Sequence, residues 1–309
     1  MRTEIKLTED MFQPVNDNFK NAENISRPNI PFWTDVWRRL KQNKLAMVGL
    51  TIISLLAVMA IIGPYLSGFN YYSQDFSKKN LHPNSIHWFG TDYAGRDIFT
   101  RAWYGARISL FIGLMAASID FVIGVVYGGF SGFKAGRIDN IMMRIGEVFY
   151  SIPHLLMVIL LMVVLPQGLW TIILAMTITG WIPMSRLVRG QVLQLKEQEY
   201  VQAAKAMGAS TGWILRKHLI PNTMGPILVN ITLTVPQAIF AEATLSFLGL
   251  GVPPPMASWG TMTSDALESL FVGNAYQLFI PAFLISLTMF AFNVLGDGLR
   301  DALDPRLRK

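Results

Sequence analysis

The chain has 309 residues, of which 52% are hydrophobic and 15% charged, whereas a soluble domain carries about 25% charged residues. Its apolar residues gather in runs close to the roughly 20 residues that cross a hydrocarbon core, which excludes an ordinary soluble protein and predicts an integral membrane protein. The net charge of +6 comes from basic residues in the loops between these runs, so it does not indicate nucleic-acid binding, and the absence of cysteine excludes disulfides and thiolate metal sites.

The beginning of the chain is predicted to lie at a membrane surface. Residues 1–30 are polar and carry acidic side chains, so we expect a cytoplasmic segment without a cleavable signal peptide. In residues 31–44, Trp33 and Trp37 share one helical face and basic side chains surround them. This pattern is typical of an interfacial elbow helix, and a plain basic flank of the first span is the alternative.

Six apolar segments predict an all-α membrane protein with six transmembrane helices within residues 45–309. Their approximate bounds are 45–66, 108–130, 141–165, 169–188, 225–248 and 275–295. Pro153 interrupts the third segment, and Pro183 and Pro236 are expected to kink the fourth and the fifth. Glycines at 124, 128, 129 and 132 favour close helix contact.

The basic residues predict the orientation. With the N-terminus inside, 21 of the 26 Lys and Arg residues fall in cytoplasmic segments, as the positive-inside rule requires. The segments that hold them are 1–45, 131–147, 186–222 and 296–309. We therefore expect cytoplasmic N- and C-termini, a cytoplasmic loop over 189–224, a cytoplasmic tail over 296–309 and an external segment over 67–107.

The polar stretch 199–221, EYVQAAKAMGASTGWILRKHLIP, lies between the fourth and fifth spans. Its first part is rich in helix-forming residues as far as Met207, and Gly208 suits a left-handed C-cap. Ser210 or Thr211 can cap a second short helix, which the proline at the end of the stretch limits. The pattern predicts two short helices that meet at a fixed bend.

This stretch resembles the EAA loop of ABC importer permeases. Gln202-Ala203-Ala204 is followed by Gly208 and, thirteen positions later, by Pro221, with Gln202, His218 and Ile220 replacing the family's Glu, Ile and Leu. In that family the loop docks into a groove on a cytoplasmic ATPase, and an ordinary amphipathic loop is the alternative. The resemblance implies ATPase coupling through Glu199, Tyr200, Gln202, Ala203, Ala204, Lys205, Met207, Gly208, Ala209, Ser210 and Pro221.

Other segments extend the resemblance over nearly the whole chain after about residue 36. They are WRRLKQNKLAMVGL, HWFGTDYAGRDIFTRAWYGARISLFIG, AEATLSFLGLGVPPPMASWG and GDGLRDALDPRLRK. They are similar to the second permease subunit of oligopeptide and dipeptide ABC importers, which implies the type I importer permease architecture in a bacterial inner membrane. The implied partners are a homologous second permease, two ATPase subunits that bind ATP and Mg, an extracytoplasmic peptide-binding protein and lipid. Permeases for nickel, opines or other small solutes share the pattern and remain the alternative.

Enzymatic chemistry is not predicted. No phosphate-binding Gly-x-x-x-x-Gly-Lys-Ser/Thr motif occurs, so we expect no cofactor on this chain and ATP hydrolysis on separate subunits. The sequence GASTG at 208–212 matches a nucleophile motif but lacks the preceding strand and triad partners. The histidines lack the HExxH spacing of a metalloprotease, and His82 and His87 are expected on an external surface. A secondary transporter would have no use for the EAA-like loop.

Polar residues within the spans are candidates for the transport path, because ionisable groups in a membrane usually face protein or water. They are Asp120, Asn230, Glu242 and Asn293. Structural hydrogen bonds between helices are the alternative interpretation for these residues.

In the external segment, Asp92, Arg96 and Asp97 belong to a turn-rich motif. Asp97 is well placed to cap the helix that follows. The motif is interpreted either as a structural cap and turn or as a contact surface for a partner protein.

Overall fold

The computed structural model describes residues 31–304, and the regular structure in this range is helical. The main helices are α1 (Phe32–Gln42), α2 (Lys44–Leu66), α3 (Ile98–Lys134), α4 (Gly136–Ser151), α5 (His154–Val164), α6 (Leu169–Leu195), α7 (Glu199–Ala206), α8 (Thr211–Ile214), α9 (Ile220–Phe247), α10 (Trp259–Asp265), α11 (Leu267–Leu270) and α12 (Tyr276–Leu303). The prediction for residues 1–30 lies outside the described residues, as does the end of the predicted tail.

The described residues contain five helices long and apolar enough to cross a membrane. They are α2, α3, α6, the continuous run Thr211–Phe247 and α12. The pair α4 and α5 passes the same test only as one broken span, bent by 79°. The all-helical class is therefore confirmed, and the number of spans is five, or six if the bent pair crosses the membrane as one unit.

The third predicted span, over 141–165, is formed by two helices that meet at a sharp bend of 79°. Pro153 has no backbone N–H and disfavours helical geometry in the preceding residue. Ile152 accordingly has the extended dihedrals φ −77° and ψ 126°. The interruption expected at this proline is thus confirmed, and it separates α4 from α5 completely.

Two other predicted boundaries also differ. The helix of the second span begins at Ile98, ten residues before the predicted start, since Asp97 caps it and accepts a hydrogen bond from the Thr100 amide at 2.8 Å. Pro221 does not end the second short helix. It lies in the first turn of α9, where its missing N–H costs little, and a π-helical turn (Leu215–Leu219) joins α8 to α9.

Glycines bring α3 close to α6. Gly124, Gly128 and Gly132 are spaced four apart and therefore lie on one face of α3. A Cβ atom at Gly128 would lie 2.1 Å from the Ser185 backbone oxygen, so only a glycine permits this approach. The close packing expected from these small residues is confirmed at these three positions.

The helix α1 packs on the end of α12. Val36 and Leu40 are buried against Ala302, whereas Trp33 and Trp37 are exposed on the side of α1 away from the bundle. A helix thus occupies Phe32–Gln42, within the predicted element over 31–44, and its role as an interfacial elbow helix stays a prediction. We call the end of the bundle that carries α1, α7 and α8 the basic end.

Candidate functional site

The bend between α6 and α9 has the predicted local structure. The helix α7 ends in a glycine C-cap, where Gly208 has a φ of +84°. Ser210 caps α8, because its Oγ accepts a hydrogen bond from the Trp213 amide at 3.4 Å. Two short helices therefore meet at a defined angle.

One face of the bend is anchored in the bundle. Val201 and Ala204 of α7, together with Ile214 and Leu219, are buried in one apolar cluster. Valines of α3 and α6 and Ile227 of α9 complete this cluster. The helix α7 is therefore packed against three spans through buried apolar side chains.

The other face of the bend is open. Met207 is 82% exposed. Most other residues predicted to contact an ATPase are also exposed, whereas Ala204 faces its own bundle and Ala209 is half-buried. The exposed candidates besides Met207 are Glu199, Tyr200, Gln202, Ala203, Lys205, Gly208, Ser210 and Pro221.

The departures from the EAA pattern make contacts within the bend. The Gln202 amide donates to the Lys196 backbone oxygen at 2.9 Å, a bond that a glutamate in its place would not donate. The His218 ring lies 4.9 Å from the Trp213 ring and 5.8 Å from the Tyr200 ring, measured between centroids. The Gln202 bond joins α7 to the end of α6, and the contact between Tyr200 and His218 joins α7 to the π-helical turn after α8.

A cavity of about 580 Å³ lies among α3, α6, α9 and the junction of α4 with α5. Asp120 and Asn230, two of the four predicted path residues, line it. The side chains with polar groups that line it are Asp120, Tyr150, His154, Thr179, Asn230, Thr234 and Gln237. We call this space the central cavity.

Most of the polar lining of the central cavity was not predicted from the sequence. Asn230, Thr234 and Gln237 follow the spacing i, i+4, i+7 and therefore share one face of α9. That spacing was visible in the sequence. By contrast, His154 follows the bend and donates to or accepts from the Thr179 hydroxyl at 2.7 Å, a relationship that only the fold reveals.

The other two path candidates do not line the central cavity. Glu242 is fully buried, and its Oε1 accepts hydrogen bonds from the hydroxyls of Ser246 at 2.7 Å and Ser258 at 2.6 Å. This arrangement supports the structural alternative for Glu242. Asn293 is exposed on the surface of the isolated bundle.

A second cavity, of about 430 Å³, opens toward the basic end between α6, α9 and the end of α12. Arg300 and Asp304 line it, and so does Asn230, which the two cavities share. The shared residue makes the two spaces neighbours along α9. Together they run from the middle of the bundle toward the basic end.

At the opposite end, the turn-rich motif forms a buried polar cluster. Arg96 donates to Asp92 at 2.6 Å and to Asp265 of α10 at 2.9 Å, and Arg101 also donates to Asp265 at 3.0 Å. Burial by itself lowers the pKa of Arg96, but the neighbouring carboxylates of Asp92 and Asp265 outweigh it and hold this pKa above its usual value. The guanidinium therefore remains charged and joins the two segments.

The predicted surface position of His87 is wrong. Its ring is buried, stacks on Phe69 at 4.5 Å between centroids, and has its Nδ1 2.9 Å from Asp97 Oδ1. His82 is exposed, as expected. Because the side chains of Asp92, Arg96 and Asp97 are also buried, the structure favours the cap-and-turn interpretation of this motif.

Long apolar helices, a polar cavity among them and an anchored polar bend at one end define the class of membrane transport permeases. The family model described as binding-protein-dependent transport system inner membrane component matches residues 124–309. A second model, the N-terminal TM domain of oligopeptide transport permease C, matches residues 31–83. The chain belongs to this family of permease subunits.

Two relatives from Bacillus subtilis are similar over nearly their full lengths. The dipeptide transport system permease protein DppC is 59% identical, over 98% of this chain and 95% of its own. The oligopeptide transport system permease protein OppC is 58% identical, over 98% of this chain and 99% of its own. The OppC protein of Haemophilus influenzae is 39% identical over 98% of this chain and 100% of its own.

A solved structure supports the fold. An inward-facing form of the MetNI methionine ABC transporter superposes with a TM-score of 0.53, covering 65% of this chain and 94% of that one at 21% identity. The likeness concerns the fold of the permease bundle.

Proposed function

We propose that the chain is a permease subunit of an ATP-driven importer of peptides in a bacterial inner membrane. The observation that carries this proposal is its identity of 59% and 58% with a dipeptide and an oligopeptide permease over nearly the full length of each. In this assignment the chain forms half of a path that a homologous second permease completes. An extracytoplasmic binding protein delivers the peptide.

The basic end of the bundle is the cytoplasmic end in this proposal. The lysine and arginine residues concentrate there, as the positive-inside rule expects for cytoplasmic segments. The tail and the segment before α1 then also lie inside. The buried cluster of Arg96 and Asp265 faces the extracytoplasmic side, where the binding protein docks.

The bend between α7 and α8 couples the permease to two ATPase subunits. The chain has no phosphate-binding motif, so ATP and Mg are bound by those partners. Its exposed face is available for docking, and its buried face is packed against three spans. ATP binding moves the ATPases, and the bend transmits the movement by stabilising one state of the spans over the other.

Site-specific cross-linking tests this proposal. The chain contains no cysteine, so each introduced cysteine is unique on it. We expect Ala203→Cys and Met207→Cys to cross-link to an ATPase subunit in the assembled complex, because both side chains lie on the open face. We also expect nucleotide to change the yield.

The matched control is Phe271→Cys, at a residue that is 91% exposed at the opposite end. It should react with a membrane-impermeant thiol reagent from outside and never cross-link to an ATPase subunit. If the two variants in the bend give no ATPase cross-link, or are labelled from outside in intact cells, the proposal is wrong.

A further inference from the structure

Asp120 and Glu242, the two acidic path candidates, have different surroundings. Glu242 is sealed in the bundle and away from the central cavity; its Oε1 accepts hydrogen bonds from two hydroxyls, and its Oε2 is buried without a partner among the described residues. Asp120 is 6% exposed, and its Oδ1 is buried without a hydrogen-bond partner among the described residues. A carboxylate without a partner inside a membrane is costly, so this group either binds a proton or meets a compensating interaction.

The central cavity supplies the space for that interaction. Asp120 lines it and is the one acidic side chain among the lining residues that the structure describes. A Cβ atom at Gly180 would lie 2.5 Å from Asp120 Oδ2, so the carboxylate occupies the space that this glycine leaves free. Two other titratable side chains line the cavity: Tyr150, whose ring lies 4.6 Å from the Arg186 guanidinium, and His154, which is hydrogen-bonded to Thr179 through Nδ1.

We propose that Asp120 binds a primary ammonium group of the transported solute, in a peptide its N-terminal ammonium. This inference rests on the proposed function and names the group that the permease itself recognises. A carboxylate accepts charge-assisted hydrogen bonds from an ammonium group, which are stronger than bonds between neutral groups. The missing partner of Asp120 is then the solute.

The rest of the lining fits the remainder of a short peptide. Asn230, Thr234 and Gln237 lie along α9 and offer amide and hydroxyl groups for peptide N–H and C=O groups. The volume of about 580 Å³ falls within the range of about 300–1,000 Å³ typical of small-molecule sites. These groups would bind the backbone of the peptide and not its side chains, so the site would accept peptides of many sequences.

A first experiment measures the charge preference of the cavity in the complete importer complex. Because the chain lacks cysteine, Thr234→Cys places one thiol in the lining. Its rates of modification by a cationic and an anionic methanethiosulfonate reagent of similar size, each divided by the rate of that reagent with a small free thiol in solution, are compared. We expect the cationic reagent to react about tenfold faster, as a nearby carboxylate in a medium of intermediate dielectric constant predicts.

Adding Asp120→Asn to this variant should reduce the preference to near one. Adding Glu242→Gln, the matched control, should leave the preference unchanged, since that carboxyl does not line the cavity. Equal rates for the two reagents, no modification of the thiol, or a preference that survives Asp120→Asn would each overturn the proposal.

A second experiment identifies the ammonium group. Trialanine should protect the Thr234→Cys thiol from a neutral reagent better than its desamino analogue, and Asp120→Asn should abolish the difference. Asp120→Glu keeps the negative charge and should therefore retain part of the difference in protection between the two compounds. Equal protection by the two compounds in the unmodified background would contradict the proposal.

Gly180→Ala provides an independent test if Asp120→Asn does not assemble. The added methyl group would displace the carboxylate, so protection by trialanine should fall to that of the desamino analogue. Unchanged protection would argue against the site. A wrong proposed function would give a different result. The cavity would still prefer the cationic reagent, but ATPase cross-links and peptide uptake would be absent.

Discussion

Arg189 of α6 holds both carboxylate oxygens of Asp139 of α4, with Nε 2.6 Å from Oδ1 and Nη2 2.6 Å from Oδ2. The Ser131 hydroxyl of α3 donates to the same Asp139 Oδ1 at 2.5 Å. Three helices are thereby joined at the basic end, close in sequence to α7. We infer that a displacement of the bend reaches α3 and α4 through this junction as well as through the apolar cluster.

Asp139→Asn should destabilise the complex and weaken its coupling. The carboxyl is buried and bidentate, so removing its charge costs about 1–3 kcal/mol of the free energy of unfolding. Arg189→Lys should have a similar effect, since an ammonium group cannot form the planar two-bond contact. Thermal unfolding of the purified complex and ATP-driven peptide uptake in proteoliposomes measure the two effects.

The exposed pair formed by Arg144 and Glu147 provides the control on the same helix. Its atoms are 2.9 Å apart, and its side chains are 82% and 49% exposed. Arg144→Gln should therefore lower the free energy of unfolding by less than about 1 kcal/mol and leave peptide uptake unchanged. If this variant lowered the unfolding temperature as much as Asp139→Asn, the special role of the buried pair would be refuted.

Gly208→Ala should impair coupling by straining the bend. A Cβ atom there meets nothing within 4 Å, so the alanine is unfavourable only because of the φ of +84°. Holding an alanine in this left-handed conformation costs about 1–2 kcal/mol of conformational free energy. We expect lower peptide-stimulated ATPase activity and a lower yield of the cross-link from Met207→Cys.

Gly212→Ala is the matched control for this change. It lies in α8 with equal space around it, and φ is not positive there. Its ATPase stimulation should equal that of the unmodified protein. Equal activity in the Gly208 and Gly212 variants would show that the conformation of the bend is unimportant.

Gly128→Ala should prevent α3 from packing on α6. The added carbon would lie 2.1 Å from the Ser185 backbone oxygen, so one helix must move. We expect loss of assembled complex in detergent, read by size-exclusion chromatography. Gly146→Ala adds the same carbon 3.9 Å from Ile182, an ordinary contact, and should assemble normally.

Local sequence signals predicted the bend well. Gly208, Ser210 and Asp97 act as caps, because a cap depends on a residue type and its immediate neighbours. The helical class also followed from the length of the apolar runs. The effect of Pro221 was predicted wrongly, since a proline is tolerated in a first turn as readily as after a helix, and the sequence does not distinguish the two.

The candidate cavity depended on information that lies between distant segments. Asp120 and Glu242 looked alike as acids within apolar runs, and only the packing shows that Glu242 meets Ser258 while Asp120 lines the central cavity. His87 was predicted at the surface because its loop is polar. In the fold it is covered by Phe69 and paired with Asp97.

Ser258→Ala should loosen α10 without changing the charge preference of the central cavity. The Ser258 hydroxyl donates to Glu242 and accepts the Thr261 amide at 3.0 Å, so it joins α9 to the capping box of α10. Its loss leaves Glu242 with one hydroxyl donor fewer, and we expect a decrease of about 1–3 kcal/mol in the free energy of unfolding.

Thr244→Ala is the control for Ser258→Ala, because the exposed Thr244 hydroxyl donates to the Phe240 backbone oxygen of its own helix. A shift in the cationic-to-anionic modification ratio of the Thr234→Cys thiol, with unchanged thermal stability, would instead place Ser258 and Glu242 in the transport path.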